Sequence, residues 1–190
     1  MPRLFSPLPL ITIALLVGAP AQVVATSVAE DGDWFDFCYG RWTIQNQRLL
    51  RPLSGDVEWE AFEASSECRP VLGGMGNIDE FTTPHRPGFV GMSLRLFNPA
   101  TRQWQIYWVD NRSGVLQPPV SGRVHGSEAV FEGDDEFAGR SIKVRYRWSQ
   151  VDTATPRWEQ AFSADGGVTW ETNWVMDFRR ADGQPLESTP

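Results

Sequence analysis

Cysteine and histidine are scarce, with two of each among 190 residues. That leaves little material for a metal centre, and no pair of them has metal-ligand spacing. Positive charge is short as well. Lys and Arg total 17 against 24 Asp and Glu, a net of −7, which argues against nucleic acid or an acidic membrane surface as partner. No apolar run reaches the ~20 residues of a membrane-spanning helix. The most apolar stretch, residues 8–18, has 11. Beyond it no long helical pattern appears, and no glycine loop precedes a helix to cradle a phosphate. No metal or cofactor is implied.

Residues 1–25 read as a secretory signal, with Arg3 at the front, the apolar run, and the small residues Val23-Val24-Ala25 at the cleavage point. A buried N-terminal strand or helix is the alternative. No Cys follows the run before Cys38, so a lipid anchor is not expected. The expected mature protein is periplasmic or secreted and away from the membrane. Its flexible lead-in is 26–33, its single domain 34–180, and its disordered tail 181–190. An oxidising compartment permits a bridge between Cys38 and Cys68, closing a loop worth roughly 3–4 kcal/mol. Two buried thiols are the other option.

Aromatic residues are abundant, at 12% with nine Trp, and they fall on alternating positions. Trp104, Ile106 and Trp108 form one row. Ile142, Val144, Tyr146 and Trp148 form a second, and Trp158, Gln160 and Phe162 a third. Trp170, Thr172, Trp174, Met176 and Phe178 form a fourth, and Val90, Met92, Leu94 and Leu96 a fifth. Period two marks half-buried strands. About ten are expected: 41–49, 57–67, 77–83, 89–97, 103–110, 117–125, 129–133, 140–150, 157–163 and 169–179. Turns such as NPAT at 98–101 and DGG at 165–167 are short, so successive strands are antiparallel neighbours. Closure removes exposed edges. The expected fold is all-β: one antiparallel up-and-down β-barrel with a short helical turn at 34–40. Residues 69–76 and the acidic stretch 134–136 are expected in loops.

The stretch FDFCYGRW at 35–42 carries a Phe…Gly-x-Trp core at Gly40 and Trp42 that resembles the opening of lipocalin-like (calycin) barrels. That resemblance implies a Trp closing one barrel end under a basic residue after the last strand, a role for Arg179 or Arg180, Arg179 being the first choice. Such a contact is worth about 0.5–2 kcal/mol. Together with VEWEAFEASSECRPVLGGMGNIDEF, RLFNPATRQWQIYWVD and RWEQAFSADGGVTWETNWVMDF, the pattern over 34–179 resembles an uncharacterised, mainly bacterial family of small calycin-type barrels. The resemblance implies a fold and no activity. Cys38 departs from the aliphatic residue expected there. SADGGVTW at 163–170 matches the Asp-box of sialidase propellers. One box in a chain of this size is a hairpin device rather than a sialidase site.

Three uses of the barrel stay open. The first is binding of a small apolar or aromatic molecule, with Trp108, Trp148, Trp158 and Trp174 as walls and Asp110, Gln160 and Thr172 as polar contacts. The second is an isomerase, cyclase or hydrolase with Asp110 as a buried general acid or base of raised pKa. The third is a filled barrel acting on another protein through its outside. His85 and His125 lie in loop-like contexts and read as surface residues. The last strand has no His to ligate haem.

Overall fold

The alternating rows pair into one continuous sheet in the computed structural model, which describes residues 31–181. The strands are β1 (Gly40–Leu49), β2 (Trp59–Val71), β3 (Gly76–Thr82), β4 (Val90–Asn98), β5 (Gln103–Asp110), β6 (Val120–His125), β7 (Glu128–Phe137), β8 (Arg140–Ser149), β9 (Arg157–Ser163) and β10 (Glu171–Arg180). Two 3-10 turns, Trp34–Cys38 and Leu72–Gly74, complete the order. Each strand pairs antiparallel with its sequence neighbour, and β1 closes the barrel on β10 from Trp42↔Arg180 to Arg48↔Trp174. The fold is therefore a closed ten-stranded up-and-down barrel. The expected signal segment 1–25, residues 26–30 of the expected lead-in and residues 182–190 of the expected tail lie outside the described residues.

Local chemistry sets the turns. Asn98 Oδ1 accepts the amides of Ala100 and Thr101 at 3.0 and 3.3 Å, folding the β4–β5 connection. After β9, Asp165 accepts the amides of Val168 and Thr169, the Thr169 hydroxyl and the Ser163 hydroxyl. The expected hairpin is thus held by its carboxylate.

One end is stoppered. Phe35 is fully buried there and meets Trp104 and Trp148 edge-on at 4.9 and 6.2 Å. The Trp104 indole donates to the Asp31 carbonyl at 2.7 Å, and the Asp31 carboxylate takes Arg102 Nε at 2.7 Å. These contacts tie Asp31 to Arg102 and to Trp104 of β5. A disulfide joins Cys38 to Cys68, tying the first 3-10 turn to β2.

Trp42 closes this end as the Gly-x-Trp motif implies, its indole donating to the Cys38 carbonyl at 2.6 Å. The cation over its ring is Arg180, at 4.0 Å, and not Arg179, which is exposed. Parity is the reason. Trp174, Met176, Phe178 and Arg180 share the inward face of β10, and Arg179 lies between.

The structure departs from the plain strand pattern at four further places. Met92, Leu94 and Leu96 face outward, because β4 turns Gly91, Ser93, Arg95 and Phe97 inward. A Cβ on Gly91 would lie 2.1 Å from the Trp108 ring, so only glycine leaves room for that indole. Trp170 sits outside, with the Arg145 guanidinium 3.8 Å above its ring. Residues 134–136 continue β7 instead of forming a loop, and Asp134 pairs with Lys143 across the strands at 2.7 Å. Residues 69–71 extend β2, leaving only the Gly-containing turn to connect it to β3.

Candidate functional site

The inward rows leave a cavity of about 300 Å³ in the half of the barrel away from the Phe35 stopper. Trp108, Trp148, Trp158 and Trp174 all line it, joined by Tyr146, Phe81 and Phe162. Trp158 packs edge-on to Trp174 at 5.9 Å and tilts against Tyr146 at 5.0 Å. The volume lies at the lower end of small-molecule sites. Its aromatic faces suit a flat apolar ligand.

Several polar groups meet this space. The Tyr146 ring is half-exposed to the cavity yet withdrawn from bulk solvent, and burial, followed by the charge of Asp135, holds its phenol pKa well above the ordinary value. The hydroxyl therefore keeps its proton and stays a donor across the physiological range. It has no hydrogen-bond partner among the described residues, and neither do the indole nitrogens of Trp148 and Trp158. Trp42, Trp104 and Trp174 are engaged; Trp174, for example, donates to Asn46 Oδ1 at 3.0 Å. Gln160 lies in the wall and donates to Asn173 Oδ1 at 2.8 Å.

Thr172 is not part of this wall. The β9–β10 register shifts between Thr172 and Trp174, a bulge that inserts Asn173. The extra residue flips parity, so Asn173 is buried and Thr172 is exposed. Trp174, Met176 and Phe178 stay inward as expected.

Asp110 is also corrected. It ends β5, and its Oδ1 accepts the amides of Arg112 and Ser113 at 2.9 and 2.8 Å. The amide of Ser113 is the largest influence, and the net effect holds the carboxyl below its ordinary pKa. It is a turn cap that stays ionised, not a buried acid of raised pKa. It contacts a smaller neighbouring pocket instead of the main cavity.

Charge does enter the cavity, at a place the sequence pattern hid. Asp79 and Arg95 lie in its wall, with Arg95 Nη1 2.6 Å from Asp79 Oδ1. Arg95 also donates to Asn77 Oδ1 at 3.0 Å, and Ser66 donates to Asp79 at 3.2 Å. The guanidinium covers the Phe35 ring at 5.1 Å, forming a charged floor above the stopper. Arg95 Nε is buried without a hydrogen-bond partner among the described residues. The small inward residues Gly91 and Ser93, four and two positions before it, were the available sign that this face of β4 was the inner one.

The mouth carries a further set of residues. β1 continues its inward row Trp42, Ile44, Asn46 with Arg48, which pairs across the strands with Glu60. His85, expected to be a surface residue, stacks on Phe62 at 4.7 Å and reaches Glu60 Oε2 at 3.0 Å. The Arg48 hydrogen bond and charge, with help from His85, outweigh desolvation and lower the Glu60 pKa.

The chain matches no protein-family model, and no curated protein sequence is significantly similar to it. The functional reading therefore rests on the site itself.

Proposed function

We propose that this protein is a calycin-like barrel, exported to the periplasm or beyond, that binds a small aromatic molecule in its interior. The observation that carries the reading is the cavity: indoles and phenyl rings surround about 300 Å³, while the Tyr146 hydroxyl and two indole N–H groups have no hydrogen-bond partner among the described residues. These donors open onto the cavity, so an acceptor on an enclosed ligand would meet them there.

The closed end supports the calycin reading through Gly40, Trp42 and the Arg180 stack. Export is supported by the apolar run after Arg3 and by the Cys38–Cys68 bridge, a bond favoured in oxidising compartments.

The test is titration of the purified protein with N-phenyl-1-naphthylamine, a neutral aromatic probe. Binding in the cavity quenches Trp emission, shifts probe emission to the blue and raises the melting temperature. Unchanged Trp emission together with an unchanged melting temperature overturns the reading.

A further inference from the structure

A second pocket of about 180 Å³ adjoins the cavity at the mouth and shares three of its walls, Phe81, Trp108 and Trp174. Its own polar lining is Arg48, Arg86, Thr83 and Asp110. The Arg48 guanidinium carbon lies 5.4 Å from the ring centres of both Phe62 and Trp174, which places the group between two aromatic walls of the pocket. Glu60 neutralises it in part. Arg86, on the β3–β4 connection, has no ion pair or side-chain hydrogen bond among the described residues. Arg112 stacks on Phe89 at 5.6 Å beside it and has no carboxylate partner there either. Asp110 spends its Oδ1 on backbone amides.

Two guanidinium groups, Arg48 and Arg86, thus line this pocket against one carboxylate, Asp110, in a protein whose overall charge is −7. Burial, and then the repulsion of Arg48, press the Arg86 pKa downward, which an incoming negative charge would relieve. The other side of the mouth has the opposite sign. Asp135 and Glu136 of β7 line the main cavity there, four strands from β1 around the barrel. The rim is therefore a dipole laid across the entrance, with its positive side over the small pocket.

We propose that the two pockets form one bipartite site for an acidic aromatic ligand. The ring system lies among the indoles, and a carboxylate or sulfonate lies against Arg86 and Arg48. This rests on the cavity reading above and goes beyond it by fixing the ligand's charge and orientation. Two oxygens of either anion can accept the forked donors of a guanidinium. The low-dielectric aromatic walls strengthen that contact relative to open water. Asp135 and Glu136 disfavour the reversed pose.

The experiment compares two probes with one ring skeleton, 1-anilinonaphthalene-8-sulfonate and N-phenyl-1-naphthylamine, on wild-type protein and on Arg86→Gln. The sulfonated probe is expected to bind the wild type about tenfold more tightly, a preference that falls in high salt. In Arg86→Gln the preference should shrink to about threefold or less, with neutral-probe affinity and melting temperature near wild type. Arg69→Gln, on the outer face of β2, should leave the preference intact. Equal affinity of the two probes for the wild type, or a preference that survives Arg86→Gln, overturns this inference alone. If neither probe binds, the cavity reading falls with it.

Discussion

Arg95 and Asp79 meet at 2.6 Å on adjacent strands, both turned into the barrel, with 7% and 12% of their side chains exposed. A charge pair at this depth is held together by mutual need. Each partner alone would be a buried ion without compensation. Arg95→Met is therefore expected to cost about 3–5 kcal/mol, while Asp79→Leu/Arg95→Met together should cost clearly less than the two single changes summed. Urea denaturation of the four proteins in a double-mutant cycle measures this. Additive losses would show that the two charges do not depend on each other.

The architecture was legible because strand rows such as Ile142, Val144, Tyr146 and Trp148 alternate cleanly and their turns are short. The interior was legible only where hydrophobicity and facing agree. On β4 they disagree: Met92, Leu94 and Leu96 are the apolar set, yet the narrow wall beside Trp108 requires glycine inside, so the apolar row faces out and Arg95 faces in. On β10 a single inserted residue, Asn173, exchanged places with Thr172, and no local composition announces such a bulge. Asp110 failed for a different reason. Alternation gave it an inward place, but a carboxylate at a strand end finds backbone amides first. The pair Asp79–Arg95 joins neighbouring strands whose register only the paired sheet reveals.

Arg180 separates a structural cation from an ornamental one. Its guanidinium lies 4.0 Å from the Trp42 ring, and its Nη2 donates to the Phe37 carbonyl at 3.0 Å. Nη1 reaches the Tyr39 carbonyl. Arg180→Met should lose about 0.5–2 kcal/mol from the stack alone, and more from the freed carbonyls. Arg179→Met, one residue away and exposed, should stay within about 0.5 kcal/mol of wild type. Thermal unfolding of both variants reads the contrast, and equal losses would contradict the assignment of the end cap to Arg180.

The bridge between Cys38 and Cys68 closes 30 residues of chain and anchors the turn that carries Phe35. On the loop-entropy account its removal destabilises by about 3–4 kcal/mol. For a domain of this size that lowers the melting temperature by roughly 10 °C. Cys38→Ser/Cys68→Ser, compared with wild type with and without reductant, tests it. Reduced wild type should resemble the double variant, and a melting temperature insensitive to both changes would show that the stopper holds without the bond.

Asp165 ties its hairpin through the hydroxyl and amide of Thr169, the hydroxyl of Ser163 and the amide of Val168, and these bonds hold its pKa far below the ordinary carboxylate value of 3.8. A group with a lower pKa in the folded state contributes stability above its unfolded pKa and loses it as pH falls through the folded one. Asp165→Asn removes that titration. The stability gap between wild type and Asp165→Asn should accordingly be constant from neutral pH down to about 5, then narrow steadily as the medium is acidified below the unfolded carboxyl's range. Paired melts from pH 7 to pH 2 measure the gap. A gap that stays flat across that range, or widens at its acid end, would mean that Thr169 and Ser163 do not favour the ionised carboxylate.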